Sequence, residues 1–152
     1  IYEKHDPKKG ICMSHKKIIR DAKENNLPCC LIMEDNCVFS APGAFDYFLS
    51  KVPEDYDLFM GLIYHGEIQE NRVVNGFSGG ITFYLVNERY YDILLEMPDS
   101  GHLDREMGGI CFKHQYLVCQ PYVVHQMASY SENMRRNMDY SNYHSSMTFF
   151  LG

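Results

Sequence analysis

The chain has 152 residues, a formal net charge of -6, 45% hydrophobic residues and 22% charged residues. That length suits one domain with a substantial core, and the composition is far from that of a disordered segment. An acidic balance argues against a nucleic-acid binder, which needs clustered Lys and Arg against phosphates. No apolar run approaches the about 20 residues of a membrane helix, and the first residue is Ile1 rather than Met.

In chain order, Ser14 is expected to cap a helix reaching about Asn26, with Ile18, Ile19 and Ala22 on one side. Asn25, Asn26 and Pro28 end it. Cys29-Cys30-Leu31-Ile32-Met33 reads as a short strand covered on both faces, stopping at Glu34-Asp35-Asn36. A second helix follows Pro42 and carries Phe45, Phe48, Leu49 and Val52. Strands are expected at Leu58 to Ile63 and Ile81 to Val86, separated by a polar loop or hairpin from His65 to Asn75. Asn87 caps a helix to about Met97. After the breaker cluster Pro98 to Gly101, a helix runs from about Leu103 to Phe112. Strand character returns at Tyr116 to Cys119 and Pro121 to Val124. From Gln126 onward the periodicity is weak, which marks 126–152 as an irregular C-terminal segment. Its Tyr130, Arg135, Arg136, Tyr140 and Tyr143 offer either an acceptor-side flap or a packed surface tail.

Strands alternating with helices indicate an α/β domain with a mainly parallel sheet. Ligands of such sheets bind beyond the carboxyl ends of the strands, which directs attention to Glu34-Asp35-Asn36. Two carboxylates and an amide there suit a hard divalent cation or the hydroxyls of a ribose; a solvated turn uses the same residue types. The six cysteines form no CxxC pair and read as free, mostly buried thiols of a reducing compartment. A zinc site from Cys12, His15, Cys29 and Cys30 matches no common finger spacing.

Gly10-Ile11-Cys12-Met13-Ser14-His15, followed by a helix and then Leu31-Ile32-Met33-Glu34-Asp35-Asn36, resembles the family 25 glycosyltransferases. These are lipooligosaccharide-type and collagen-type sugar transferases, with a GCxxSH segment, a helix, a hydrophobic strand and a Leu-Glu-Asp-Asp motif. Asp57 to Gly61, Gly79 to Tyr84, His102-Leu103-Asp104 and Pro121 to Gln126 with Ser131 resemble later family segments in the same order. The resemblance spans about residues 10 to 135. Ile11 stands where the family has Cys, and Asn36 stands where it has its second Asp.

The resemblance implies a Rossmann-like A-type glycosyltransferase fold and inverting transfer of a hexose, galactose first, from a UDP-sugar. The acceptor would be a hydroxyl of a glycan or glycosylated protein. It implies donor binding by Ser14, His15, Glu34, Asp35, Ser78, Gly79 and Gly80. Asp35, Asn36 and His125 would hold manganese or magnesium, with Asn36 bringing no charge. Asp104 is the expected general base, and Glu106 is its alternative on the same helix. A helix-start carboxylate that only favours the helix dipole is the plainer account of both. The resemblance also implies that a first βα unit, which would cradle the uridine, precedes Gly10 and is lacking here. A cytoplasmic location, peripheral to a membrane at most, is expected. Two other readings compete. One is a non-catalytic domain of the same fold that binds a glycan or nucleotide. The other is a metal-assisted phosphoester hydrolase using Asp35, Asp57 and Asp104.

Overall fold

The computed structural model describes residues 6–99, 101–131 and 136–138. Helix α1 spans Pro7–Glu24 and starts a full two turns before Ser14. Asp6 is its cap: the side chain accepts from Lys9 N at 3.3 Å, and Pro7 fits a first-turn position whose N–H has no helical partner. Ser14 instead lies inside the helix and donates back to Gly10 O at 2.8 Å. Cys12, His15, Ile19 and Ala22 recur at helical spacing and form the buried side.

Strand β1 is Cys29–Met33, followed by a turn in which Cys37 N donates to Glu34 O at 3.1 Å. Strand β2 is Cys37–Phe39 and helix α2 is Ala44–Ser50. Strand β3 is Leu58–Met60 and β4 is Phe83–Asn87; between them an isolated bridge joins Ile68 to Val74. Asn87 caps a short 3-10 turn, Glu88–Tyr90, which leads into helix α3, Tyr91–Leu95. Helix α4 is Leu103–Ile110, and strands β5 and β6 are Tyr116–Val118 and Val124–Gln126. Strands β7, Ser129–Ser131, and β8, Arg136–Met138, pair antiparallel. Part of the segment expected to be irregular is thus a two-stranded ladder. Arg135, Tyr140 and Tyr143 lie outside the described residues, as does the side chain of Tyr130.

The main sheet has the order β1-β4-β3-β5. Strands β1, β3 and β5 share one direction, while β4 runs against its neighbours β1 and β3. The sheet is therefore mixed, with a single parallel neighbouring pair. The expectation of an α/β class holds at that level. Helices α1, α3 and α4 cover one face: His15 stacks on Tyr84, and Tyr90 meets Tyr116 through hydroxyls 2.6 Å apart. Helix α2 and the β2–β6 ladder cover the other, where Phe48 and Phe39 pack around Phe83.

Strand β1 departs from its expected burial. It is an edge strand among the described residues, and Met33 at its end is 54% exposed. An apolar run is compatible with an edge as well as a centre, because periodicity does not report how many neighbours a strand has.

Helix α4 is seated by a close approach. A Cβ on Gly108 would lie 1.9 Å from Phe77 O, whereas one on Gly109 would meet nothing within 4 Å. Gly108→Ala is expected to cost about 2–3 kcal/mol in urea unfolding, since backbone must shift to admit the methyl group. Gly109→Ala should be neutral or gain up to about 1 kcal/mol from helix propensity. Equal behaviour of the two variants would disprove the close seating.

Candidate functional site

Glu34 continues β1 by one residue. Its N–H donates to Thr82 O at 2.8 Å, next to the Met33–Phe83 pair. Side chains alternate along a strand, so Glu34 shares a face with Ile32, and Thr82 shares it with Tyr84. That is the face covered by α1, α3 and α4. Thr82, only 1% exposed, donates its hydroxyl to Glu34 Oε1 at 3.3 Å.

Asp104 reaches the same place from the first turn of α4. Its Oδ1 accepts from Arg105 N at 2.8 Å. A Cβ added to Gly79 would lie 3.4 Å from its Oδ2, so this oxygen lies over bare backbone. Gly79 is held by Tyr64 N, which donates to Gly79 O at 2.9 Å. At Gly80, φ is +96° and a Cβ would meet the backbone of Ile63 and Tyr64 at 3.0 Å. Glycine is required there by both conformation and space.

Burial dominates the electrostatics. It pushes the Glu34 carboxyl up to about 7; the Thr82 hydrogen bond opposes this, and the charges of Asp104 and Asp35 add to it. Burial also raises the Asp104 carboxyl, against the Arg105 N–H and the nearby positive charges of His102 and Arg105. Two carboxyl groups with raised proton affinity thus lie within electrostatic reach of each other near the carboxyl end of β1.

The remaining expected site residues are distributed unevenly. His15 is 4% exposed, and its Nδ1 shares a 2.7 Å hydrogen bond with the Tyr84 hydroxyl. Burial lowers it to about 4, so it is a neutral core imidazole beneath the Glu34 side of the sheet. Ser14 is occupied by its helical carbonyl. Ser78 is exposed beside Gly79, and its N–H donates to Tyr64 O at 3.1 Å. Glu106 is separated from Asp104: it lies against Gly101, where a Cβ would sit 3.2 Å from its Oε1. Residues two apart on a helix do not share a face.

Asp35 is exposed at the turn. Asn36 O accepts from Met127 N at 2.8 Å, which extends the ladder in which Val38 opposes His125. Asn36 and His125 therefore fall on one face of that ladder as a diagonal pair. Asn36 Oδ1 is buried without a hydrogen-bond partner. Among the described residues, no three His, Cys, Asp or Glu side chains are grouped to hold a metal ion. The set of one carboxylate, one unsatisfied amide oxygen and one imidazole fits manganese or magnesium by donor type, at low charge.

Asp57 is at the other end of the sheet. It precedes β3, accepts from Arg89 Nε at 2.8 Å and Gln115 N at 2.7 Å, and anchors the start of β5. Because β1 and β3 point the same way, Asp57 and Glu34 are separated by the strand length, on the order of 15 Å. The hydrolase trio Asp35, Asp57 and Asp104 is not assembled. Cys12 bonds Pro98 O and His15 bonds Tyr84, so the zinc set is not assembled either. All six cysteines are free. Burial raises Cys30 and Cys119 to about 11 and Cys37 to about 12, which leaves these thiols protonated and poorly nucleophilic.

Two residues of the Gly79 to Tyr84 segment have no role assigned from sequence: Thr82, which holds Glu34, and Tyr84, which holds His15. The one local sign is a polar residue opening an otherwise apolar strand. No family model matches the chain, and no curated protein matches it. The class defined by fold and site is a mixed α/β domain with a carboxyl pair at the strand ends. No described helix is long and apolar enough to cross a membrane.

Proposed function

We propose that this chain binds a UDP-hexose, with galactose the first candidate, and transfers the hexose with inversion to a hydroxyl of a glycan or glycosylated protein. The observation that carries the reading is Asp104 lying over the bare backbone of Gly79, with the buried Glu34 carboxyl within its electrostatic reach. Asp104 is the general base. Its burial makes it a stronger base than a surface carboxylate, and its Oδ2 lies over Gly79 while Oδ1 takes the Arg105 N–H. It takes the proton of the acceptor hydroxyl as that oxygen bonds to the anomeric carbon. The bond from that carbon to the diphosphate breaks, and UDP leaves with the electron pair. Glu34 accepts from the donor's ribose, and Gly79 lets the sugar approach the backbone. A divalent cation held by Asp35, Asn36 and His125 would supply charge neutralisation of the diphosphate.

Calorimetric titration with UDP and UDP-galactose, with and without manganese, tests the reading. Micromolar to millimolar binding that manganese tightens is the expected result. Asn36→Asp should tighten the manganese-dependent part about tenfold, because it restores a charged ligand. No UDP binding under either condition would overturn the proposal. The uncharged Asn36 favours one second reading, a nucleotide- or glycan-binding domain without catalysis; UDP binding with neither transfer nor donor hydrolysis would establish it. Six free thiols without a paired spacing support a reducing compartment such as the cytoplasm.

A further inference from the structure

We infer that Thr82 is the positioning residue that aims Glu34 at the ribose of the nucleotide donor, and so sets the preference for a ribonucleotide with both hydroxyls. The inference rests on the donor-binding reading above. Thr82 holds Glu34 at two points. Its carbonyl accepts from Glu34 N at 2.8 Å, and its hydroxyl donates to Glu34 Oε1 at 3.3 Å. A Glu side chain has three rotatable bonds and would otherwise sample several rotamers at the end of an edge strand. The Thr82 side chain has no such freedom. It is buried at the mouth of β4, one residue before Phe83 and two after the Gly80 turn, and a β-branched residue is restricted at χ1.

The hydroxyl donor uses one lone pair on Oε1. Oε2 has no hydrogen bond from Thr82, and once Glu34 is ionised its carboxylate can take two donors on separate oxygens. A ribose presents two adjacent hydroxyls, each able to donate. Binding energy is gained when the carboxylate is already oriented, because less rotamer entropy is lost on complex formation. When both carboxyls are ionised, their like charges disfavour rotation of Glu34 towards Asp104.

The test is titration of the full chain with UDP and with UDP lacking either the 2′ or the 3′ ribose hydroxyl. The wild type should prefer UDP to at least one deoxy analogue by roughly tenfold, the scale of one hydrogen bond to a charged group. Thr82→Val, nearly equal in volume, should reduce that preference to within about twofold while leaving affinity for the same deoxy analogue unchanged. Thr82→Ser should restore it. Glu34→Gln should weaken the preference too, and Thr82→Val in that background should add little further loss. Equal weakening of UDP and both analogues by Thr82→Val would mark Thr82 as merely structural and overturn the inference. So would a serine variant as poor as the valine one, or a wild type that binds UDP without preference. A wild type that binds no UDP overturns the donor reading itself, which separates the two failures.

Discussion

Asp104→Asn is expected to lower hexose transfer by about 10²–10⁴-fold, the usual contribution of a positioned proton acceptor. Asparagine keeps the size of the side chain and the oxygen that accepts from Arg105 N, so helix α4 retains its start. What it loses is a group able to take the acceptor's proton. Donor affinity should change by less than about threefold, because the base acts on the acceptor side. The wild-type rate should rise with pH through the Asp104 pKa, which burial holds above the ordinary aspartate value, and the variant should lack that limb. Glu106→Gln is the matched control. Glu106 lies against Gly101, not Gly79, and its loss should cost little. The readout is the initial rate of UDP release from UDP-galactose with a glycan acceptor. An Asp104→Asn enzyme within tenfold of wild type would place the base elsewhere.

The pH dependence of stability should contain two opposing slopes of similar size. Glu34 is raised from 4.5 to about 7, so the folded state holds its proton where the unfolded chain has released it. Stability from this group is present below pH 4.5 and is lost as pH rises through about 7, a fall of about 3 kcal/mol. His15 is lowered from 6.5 to about 4, so the unfolded chain takes a proton that the folded state refuses. Stability from His15 is complete above pH 6.5 and is lost by a similar about 3 kcal/mol as pH falls through about 4. Between pH 4.5 and 6.5 the two nearly cancel. Glu34→Gln should therefore uncover a chain that gains stability with rising pH over that interval. His15→Phe should uncover the opposite slope. It also carries a pH-independent cost of about 1–3 kcal/mol for the stranded Tyr84 hydroxyl. Urea midpoints measured from pH 4.5 to 7.5 report both. If each variant keeps the wild-type profile, neither group is buried as described.

These effects depend on different kinds of contact, and so did their visibility in the sequence. The Cys29–Met33 strand, the α3 and α4 segments and the polar stop at Glu34 were legible, because each rests on local periodicity and on breaker or capping residues. Serine caps well in isolation, so local sequence points to Ser14 as the start of α1, whereas the helix begins at Pro7. Asp6 followed by Pro7 caps better, and only the extended helix shows which one is used. The sites followed the same division. Asp104 is singled out by the family resemblance, since position in the first turn of a helix alone is equally explained by the helix dipole. Its separation from Glu106 follows from helix geometry, whereas its nearness to Glu34 comes from the seat of Gly108 on Phe77 and from the pairing of β1 with β4.

Residue order alone was enough to mark an acidic, α/β-type chain with oxygen-bearing side chains at the end of an apolar strand. Those properties depend on neighbours within a few residues. Which carboxyls come within reach of each other, that β1 is an edge strand among the described residues, and that Asp57 sits at the far end are decided by the three-dimensional arrangement. Strand order and direction are set by pairings between residues far apart in the chain, from Met60 with Tyr84 to Cys29 with Asn87, and no local pattern encodes them. The same holds for His15: its sequence context suits a ligand, and its burial against Tyr84 makes it a neutral part of the core.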